Sequence, residues 1–231
     1  GIHIKTWPLL PEQGSAYENL DIDGFKQSLE ELTMHQSRIL IWLNDPAHNP
    51  TGLSLNQVER MALLNQVLDS ARLNPDIGHT LLIDSAYHLY ANEPHGWSET
   101  LSECIDAVDW PENFLFTFAA SCSKSHTIYG LRTGALIYLH PSIEILDKIE
   151  KVMLHTGRGT WSAPPRLPQV TLANIHRDPA LSSQWSNELS KLKTKLMTRR
   201  QKLRECMQNV GLKLMPNHDG YFAFFECDDP E

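Results

Sequence analysis

"RILIWLNDPAHNPTGLSLNQVERMALLNQVLDSARLNPDIGHTLLID", residues 38–84, is the stretch that decides the fold. It opens on RILIWL (38–43), a continuous apolar run of strand length, as expected for a strand buried on both faces. Ser54 with Gln57 three residues later reads as a capping box. Val58, Met61, Leu64 and Leu68 then fall on one helical stripe. HTLLID (79–84) is a second strand pattern. Strand, helix and strand in that order imply a crossover unit and a parallel pair.

Working outward, FLFTFA (114–119) and GALIYL (134–139) supply two more strands. The short link between them leaves two options, an antiparallel hairpin or a bridge to a non-adjacent strand. IHIKTW (2–7) alternates like a short strand. The expected fold class is therefore α/β, a mainly parallel sheet with flanking helices. A long helix is expected over 178–210: Asp178 suits the N-cap, Pro179 the first helical position and Gly211 the residue just past the end. Leu189, Leu192, Leu196, Leu203, Met207 and Val210 form its apolar seam. It exceeds the usual globular length, so it is expected to leave one domain and enter another. That divides the chain into a large domain, 1–190, and the start of a small α+β C-terminal domain, 191–231, with LKLM and YFAFF as strands. Both ends fall close to core strands, and a segment of a longer protein is expected.

The composition is that of a globular protein, 41% hydrophobic and 21% charged. A net charge of −8 argues against a general nucleic-acid binder, since phosphate neutralisation needs clustered Lys and Arg. The most basic run, Lys191 to Arg204, is interrupted by leucines and reads as the wet face of a helix. No apolar run approaches the roughly 20 residues of a membrane span. Cys104, Cys122, Cys206 and Cys227 are scattered, which suggests free thiols and a reducing compartment, the cytoplasm or an organelle matrix. The histidines show no metal-ligand spacing, so no metal is expected.

In a parallel α/β sheet, ligands bind beyond the carboxyl ends of the strands. Three polar clusters fall there: PAHNPTG (46–52), DSAY (84–87) and SCSK (121–124). Each has a plain reading as a turn, a helix cap or a solvated lysine. Their convergence on one sheet edge favours a shared chemistry, pyridoxal phosphate catalysis. That chemistry uses a lysine for a Schiff base, an acid for the pyridinium nitrogen, and hydroxyls with an arginine for the phosphate.

The motifs AHNPTG, DSAY and SxSK, with Tyr129 and Arg132 following the lysine, occur in the order found in one family. The chain resembles the fold-type I pyridoxal-phosphate aminotransferases of class I/II, most closely the aspartate aminotransferase subgroup. Weaker similarity runs from LDIDGF (20–25) through WSAPPR (161–166) to Trp185, Glu188 and Leu189. The resemblance implies that Lys124 forms the internal aldimine and moves the substrate proton, and that Asp84 pairs with the pyridine nitrogen. Asn49 and Tyr87 would hydrogen-bond the ring's phenolic oxygen, and Ser121, Ser123 and Arg132 would hold the phosphate. Arg158, with Ser162 of the S-x-P-P motif, would bind the distal carboxylate of an acidic substrate in the neighbouring subunit of a homodimer. The plain reading of Arg158 is a surface arginine on a Gly-rich loop.

The resemblance thus implies transfer of an amino group from aspartate or glutamate to a 2-oxo acid. Alternatives are an aromatic or broad-range aminotransferase of the same subgroup, and a truncated or non-catalytic protein of the same fold. The family's phosphate-loop glycines and ring-stacking aromatic would precede Gly1, and its α-carboxylate arginine would follow Glu231. The isolated segment is therefore expected to be inactive or nearly so. Cys122 and the SHTI residues are unusual fillers around the lysine, and 69–80 reads as a small surface insertion.

Overall fold

The computed structural model describes residues 2–11, 15–104 and 109–226. A four-stranded sheet forms its centre, with β1 (Arg38–Asn44), β2 (Gly78–Asp84), β3 (Phe114–Ser121) and β4 (Gly134–Leu139) side by side in sequence order. β1, β2 and β3 are parallel; β4 pairs antiparallel with β3, from Phe116 opposite Leu139 to Ser121 opposite Gly134. The link left open by the sequence is thus a hairpin-type return, and the sheet is mainly parallel as expected.

Around it lie the helices α1 (Ile22–Thr33), α2 (Gln57–Leu73) and α3 (Gly96–Cys104), with the one-turn α4 (Cys122–Ser125) after β3. The chain continues through α5 (Ile143–Thr160), α6 (Arg166–Arg177) and α7 (Pro179–Val210). The core lies between one face of the sheet and the helices. Ile39, Ile41, Leu43, Leu81, Ile83, Phe114 and Phe116 meet Leu63, Leu64, Val67 and Leu68 of α2 and Trp97 and Leu101 of α3. Phe114 and Phe116 are fully buried, a burial that contributes about 1.5–3 kcal/mol for each side chain.

Several expectations need correction. β1 is buried on one face only among the described residues: Leu40 and Trp42 are 56% and 62% exposed, while Ile39, Ile41 and Leu43 are buried. The capping box of α2 is formed by Asn56 and Glu59, not by Ser54 and Gln57. The Ser54 hydroxyl instead donates to Asp219 Oδ2 at 2.6 Å. The α2 stripe keeps Leu64 and Leu68, but Val58 is exposed. Residues 2–7 form no strand with any of the described residues; the His3 N–H goes to the Gln36 side chain. LKLM and YFAFF make one bridge, Leu214 to Phe225, rather than strands. Segment 69–80 is the end of α2, a loop at Asn74–Ile77 and the start of β2, so it adds little surface loop.

The long helix has the expected ends. The Asp178 carboxylate accepts from the Ala180 and Leu181 N–H groups, and Gly211 closes the helix in the left-handed region. Its seam is half-buried at Leu189, Leu192, Leu196, Leu203 and Met207, and Val210 is exposed. No helix among the described residues is long and apolar enough to cross a membrane. Cys104, Cys122 and Cys206 are unpaired, and Cys227 lies outside the described residues.

Candidate active site

Parallel pairing fixes the site before any side chain is placed. Asn44, Asp84 and Ala119 stand opposite one another at the carboxyl ends of β1, β2 and β3. The three polar clusters therefore leave the sheet at a common edge. Asn44 ties two of them together: its Nδ2 donates to the Asp84 carbonyl at 2.9 Å, and its Oδ1 accepts from the Asn49 N–H at 2.7 Å. Asn49 itself is exposed and Asp84 half-buried, with one carboxylate oxygen accepting from the Ala86 N–H at 3.2 Å.

β3 ends at Ser121, which caps α4 by accepting the Ser123 N–H on its hydroxyl oxygen at 3.3 Å. The helical turn that follows carries Lys124. Its Nζ lies 5.4 Å from the ring centres of both Tyr87 and Tyr129, a geometry that favours a cation between two aromatic faces. Tyr90 fixes the turn from the side, donating its hydroxyl to the Lys124 carbonyl at 2.9 Å. Arg132 follows a 3-10 turn in the left-handed region, with φ 52°. That is an uncommon conformation for a non-glycine residue. It folds the guanidinium back over the Tyr129 ring at 4.8 Å and to 3.5 Å from the buried Ser123 hydroxyl.

The structure thus brings together Asp84, Tyr87, Ser121, Ser123, Lys124 and Arg132, with Asn49 on the adjoining loop. Arg158 and Ser162 stand apart. Arg158 lies in the last turn of α5, not on a loop, and donates to the Ser162 carbonyl at 3.4 Å. Both are exposed and make no hydrogen bond to the strand-end cluster among the described residues.

Sequence reasoning does not find Asn44, Tyr90 or Tyr221. The C-terminal segment 217–222 folds back over the 47–52 loop. His218 and Asp219 donate their N–H groups to the Gly52 carbonyl at 2.9 and 2.8 Å, and Gly220 donates to Tyr90 O. This brings the Tyr221 ring to 4.5 Å from Tyr90 and 5.9 Å from Tyr87, with Phe222 5.3 Å from Tyr87. Burial, then the neighbouring Tyr90, push the Tyr221 phenol well above its ordinary range, so it stays protonated. The only signal for this aromatic wall is the aromatic density of GYFAFF.

Lys124 forms no ion pair and Arg132 none among the described residues. An amine between aromatic rings and a guanidinium beside the Ser123 hydroxyl suit a ligand that carries both a carbonyl carbon and an anionic group. Fold and site define the class: an open α/β sheet with a ligand site beyond the carboxyl ends of its parallel strands. The chain belongs to the aminotransferase class I and II family, whose model matches residues 1–230.

Among curated proteins it is 27% identical to an aromatic-amino-acid aminotransferase of Pseudomonas aeruginosa, over 92% of this chain and 48% of that protein. It is also 27% identical to an aspartate aminotransferase of Medicago sativa, over 91% of this chain and 46% of that protein. Among solved structures, an aminotransferase from Anaerococcus prevotii superposes with a TM-score of 0.87 at 27% identity, covering 97% of this chain and 53% of that one. The chain spans about half the length of the relatives it matches.

Proposed function

We propose that this chain is the lysine-bearing part of a pyridoxal-phosphate-dependent aminotransferase that moves an amino group from aspartate or glutamate to a 2-oxo acid. The observation that carries the reading is the placement of Lys124 between Tyr87 and Tyr129, at the edge that also holds Asp84, Ser121, Ser123 and Arg132. When bound, the cofactor supplies an aldehyde that exchanges amino groups and a ring that draws off electron density. Lys124 Nζ would be the amine that meets the aldehyde and the base that moves the proton of the substrate α-carbon. The Asp84 carboxylate would favour a protonated ring nitrogen by charge attraction. The side chains of Asn49 and Tyr87 would donate to the ring oxygen, and Arg132 with Ser121 and Ser123 would bind the phosphate dianion.

Arg158 and Ser162 are exposed and make no hydrogen bond to this edge among the described residues, which supports a role in the site of a second copy, where Arg158 would meet a distal carboxylate. We take residues 1–190 as the cofactor domain and 191–231 as the start of the small domain. The unpaired cysteines support a cytoplasmic or organelle-matrix setting. A second reading, an aromatic or broad-range donor, is favoured by the aromatic wall of Tyr87, Tyr90, Tyr221 and Phe222.

The test adds pyridoxal phosphate to the full-length protein and follows the visible absorption of the lysine-bound cofactor. Lys124→Ala abolishes that band and turnover; unchanged turnover in the variant defeats the assignment. Arg158→Ala lowers kcat/KM for aspartate by about tenfold or more, the scale of one lost charge-assisted contact, and leaves an aromatic donor nearly unchanged. Equal losses for both donors would favour the aromatic or broad-range reading.

A further inference from the structure

Just past the cofactor lysine, His126 sits in a cluster that the proposed chemistry does not use. Its ring stacks on Trp185 of α7, 4.8 Å away and 8° from parallel. Its Nε2 lies 2.9 Å from His176 Nε2 of α6, and its Nδ1 lies 2.8 Å from Ser125 Oγ. Ser125, which is buried, gives its single hydroxyl proton to the Ser121 carbonyl at 3.0 Å.

That last bond orders the others. With its proton spent on Ser121, Ser125 Oγ can only accept, so His126 must donate from Nδ1. A neutral His126 protonated at Nδ1 has a bare Nε2, which accepts from the Nε2–H of His176. We propose that His126 and His176 are positioning residues for Lys124, joined in a one-way chain from His176 to His126 to Ser125 to the Ser121 carbonyl that clamps the lysine's turn onto α6 and α7. The proposal rests on the cofactor reading for its functional consequence, though not for its geometry.

The turn needs such a clamp. α4 is only four residues long, closed by His126 N–H to Cys122 O at 3.1 Å and Thr127 N–H to Lys124 O at 3.2 Å. Tyr90 holds one flank, and the imidazole chain holds the other. A second proton on His126 would set two N–H groups against each other at the 2.9 Å contact. His176, in contrast, can take a proton at Nδ1 and still donate from Nε2. The titratable groups acting on His126 from the packed elements are His176 of α6 and His88 of the 3-10 turn His88–Tyr90; Trp185 of α7 brings no charge. Burial first, then these two histidines, hold His126 down to about 4, so the chain stays intact at neutral pH.

The test has two arms on the full-length protein. Nitrogen-15 NMR of the cofactor-free protein at neutral pH reads the tautomers: His126 is expected as Nδ1–H and His176 with a proton on Nε2. In the second arm, pyridoxal phosphate binding is titrated by visible absorption in His176→Leu, which removes the donor, and in His176→Gln, whose amide N–H can replace it. The leucine variant is expected to weaken cofactor binding about tenfold, as for one lost bond to a shared network, and the glutamine variant to restore it to within about twofold. Equal losses in the two variants, or an Nε2–H tautomer at His126, overturn the clamp. If the wild-type protein takes up no cofactor, it is the cofactor reading that has failed. Amide exchange at residues 122–126 then decides the clamp, which requires faster exchange in His176→Leu than in His176→Gln.

Discussion

At the scale of single residues, Asp45 sets the pH response of the loop that follows β1. Its carboxyl is buried and accepts from the Leu55 N–H at 2.8 Å and Trp97 Nε1 at 2.7 Å. Burial pushes it from an ordinary 3.8 up to about 7, against the pull of those two donors and of Arg60. A folded-state value above the unfolded one gives stability that is complete below pH 3.8 and lost as pH rises towards about 7. Asp45→Asn keeps the shape and removes the titration. Urea unfolding at about pH 5 and pH 8 should therefore show a smaller decline in the variant. Its stability at pH 5 should be lower by roughly 1 kcal/mol, because the hydroxyl oxygen of the protonated carboxyl can still accept a bond that the amide nitrogen cannot. An identical decline in both proteins would place the titration elsewhere. The proline-rich sequence shows a turn at Asp45, but nothing in it announces a buried carboxyl, since Trp97 arrives from a separate helix.

At the scale of elements, the loop after β1 shows how partners far along the chain override local signals. Ser54 and Gln57 have capping-box spacing, yet Ser54 is held by Asp219, and the helix starts two residues later on Asn56. Glu59 closes the box and also accepts the Glu18 and Asn19 N–H groups at 3.0 and 2.7 Å, so one carboxylate serves both a helix end and a distant segment. Gly52 stands where the C-terminal segment crosses. Its φ is +72°, and a Cβ there would sit 2.7 Å from the Asp219 carbonyl oxygen and 2.8 Å from that of Phe222. Gly52→Ala should lower stability by at least about 1 kcal/mol, read as a lower urea midpoint with unchanged m-value. An unaltered midpoint would mean that the 217–222 segment is not pressed on the loop.

At the scale of the whole molecule, Arg158 makes no hydrogen bond to the strand-end cluster among the described residues, and the proposed shared site can be tested directly. Mixing Lys124→Ala chains with Arg158→Ala chains of the full-length protein should restore activity towards aspartate at roughly a quarter of the sites, since half the dimers are mixed and each holds one intact site. No recovery would confine Arg158 to its own chain. The α/β class, the four strands, both ends of the long helix and the residues at the strand ends were legible in the sequence, because hydrophobic period, caps and motif order are local properties. Other features depended on what stands beside each element in space. Tertiary structure alone decided that, among the described residues, β1 keeps an open face and residues 2–7 pair with no strand, and that Ser54 serves Asp219. It alone built the aromatic wall at Tyr221 and the imidazole pair at His126 and His176. Ser54, Tyr221 and His126 each meet a partner tens of residues away, where no local pattern carries the information.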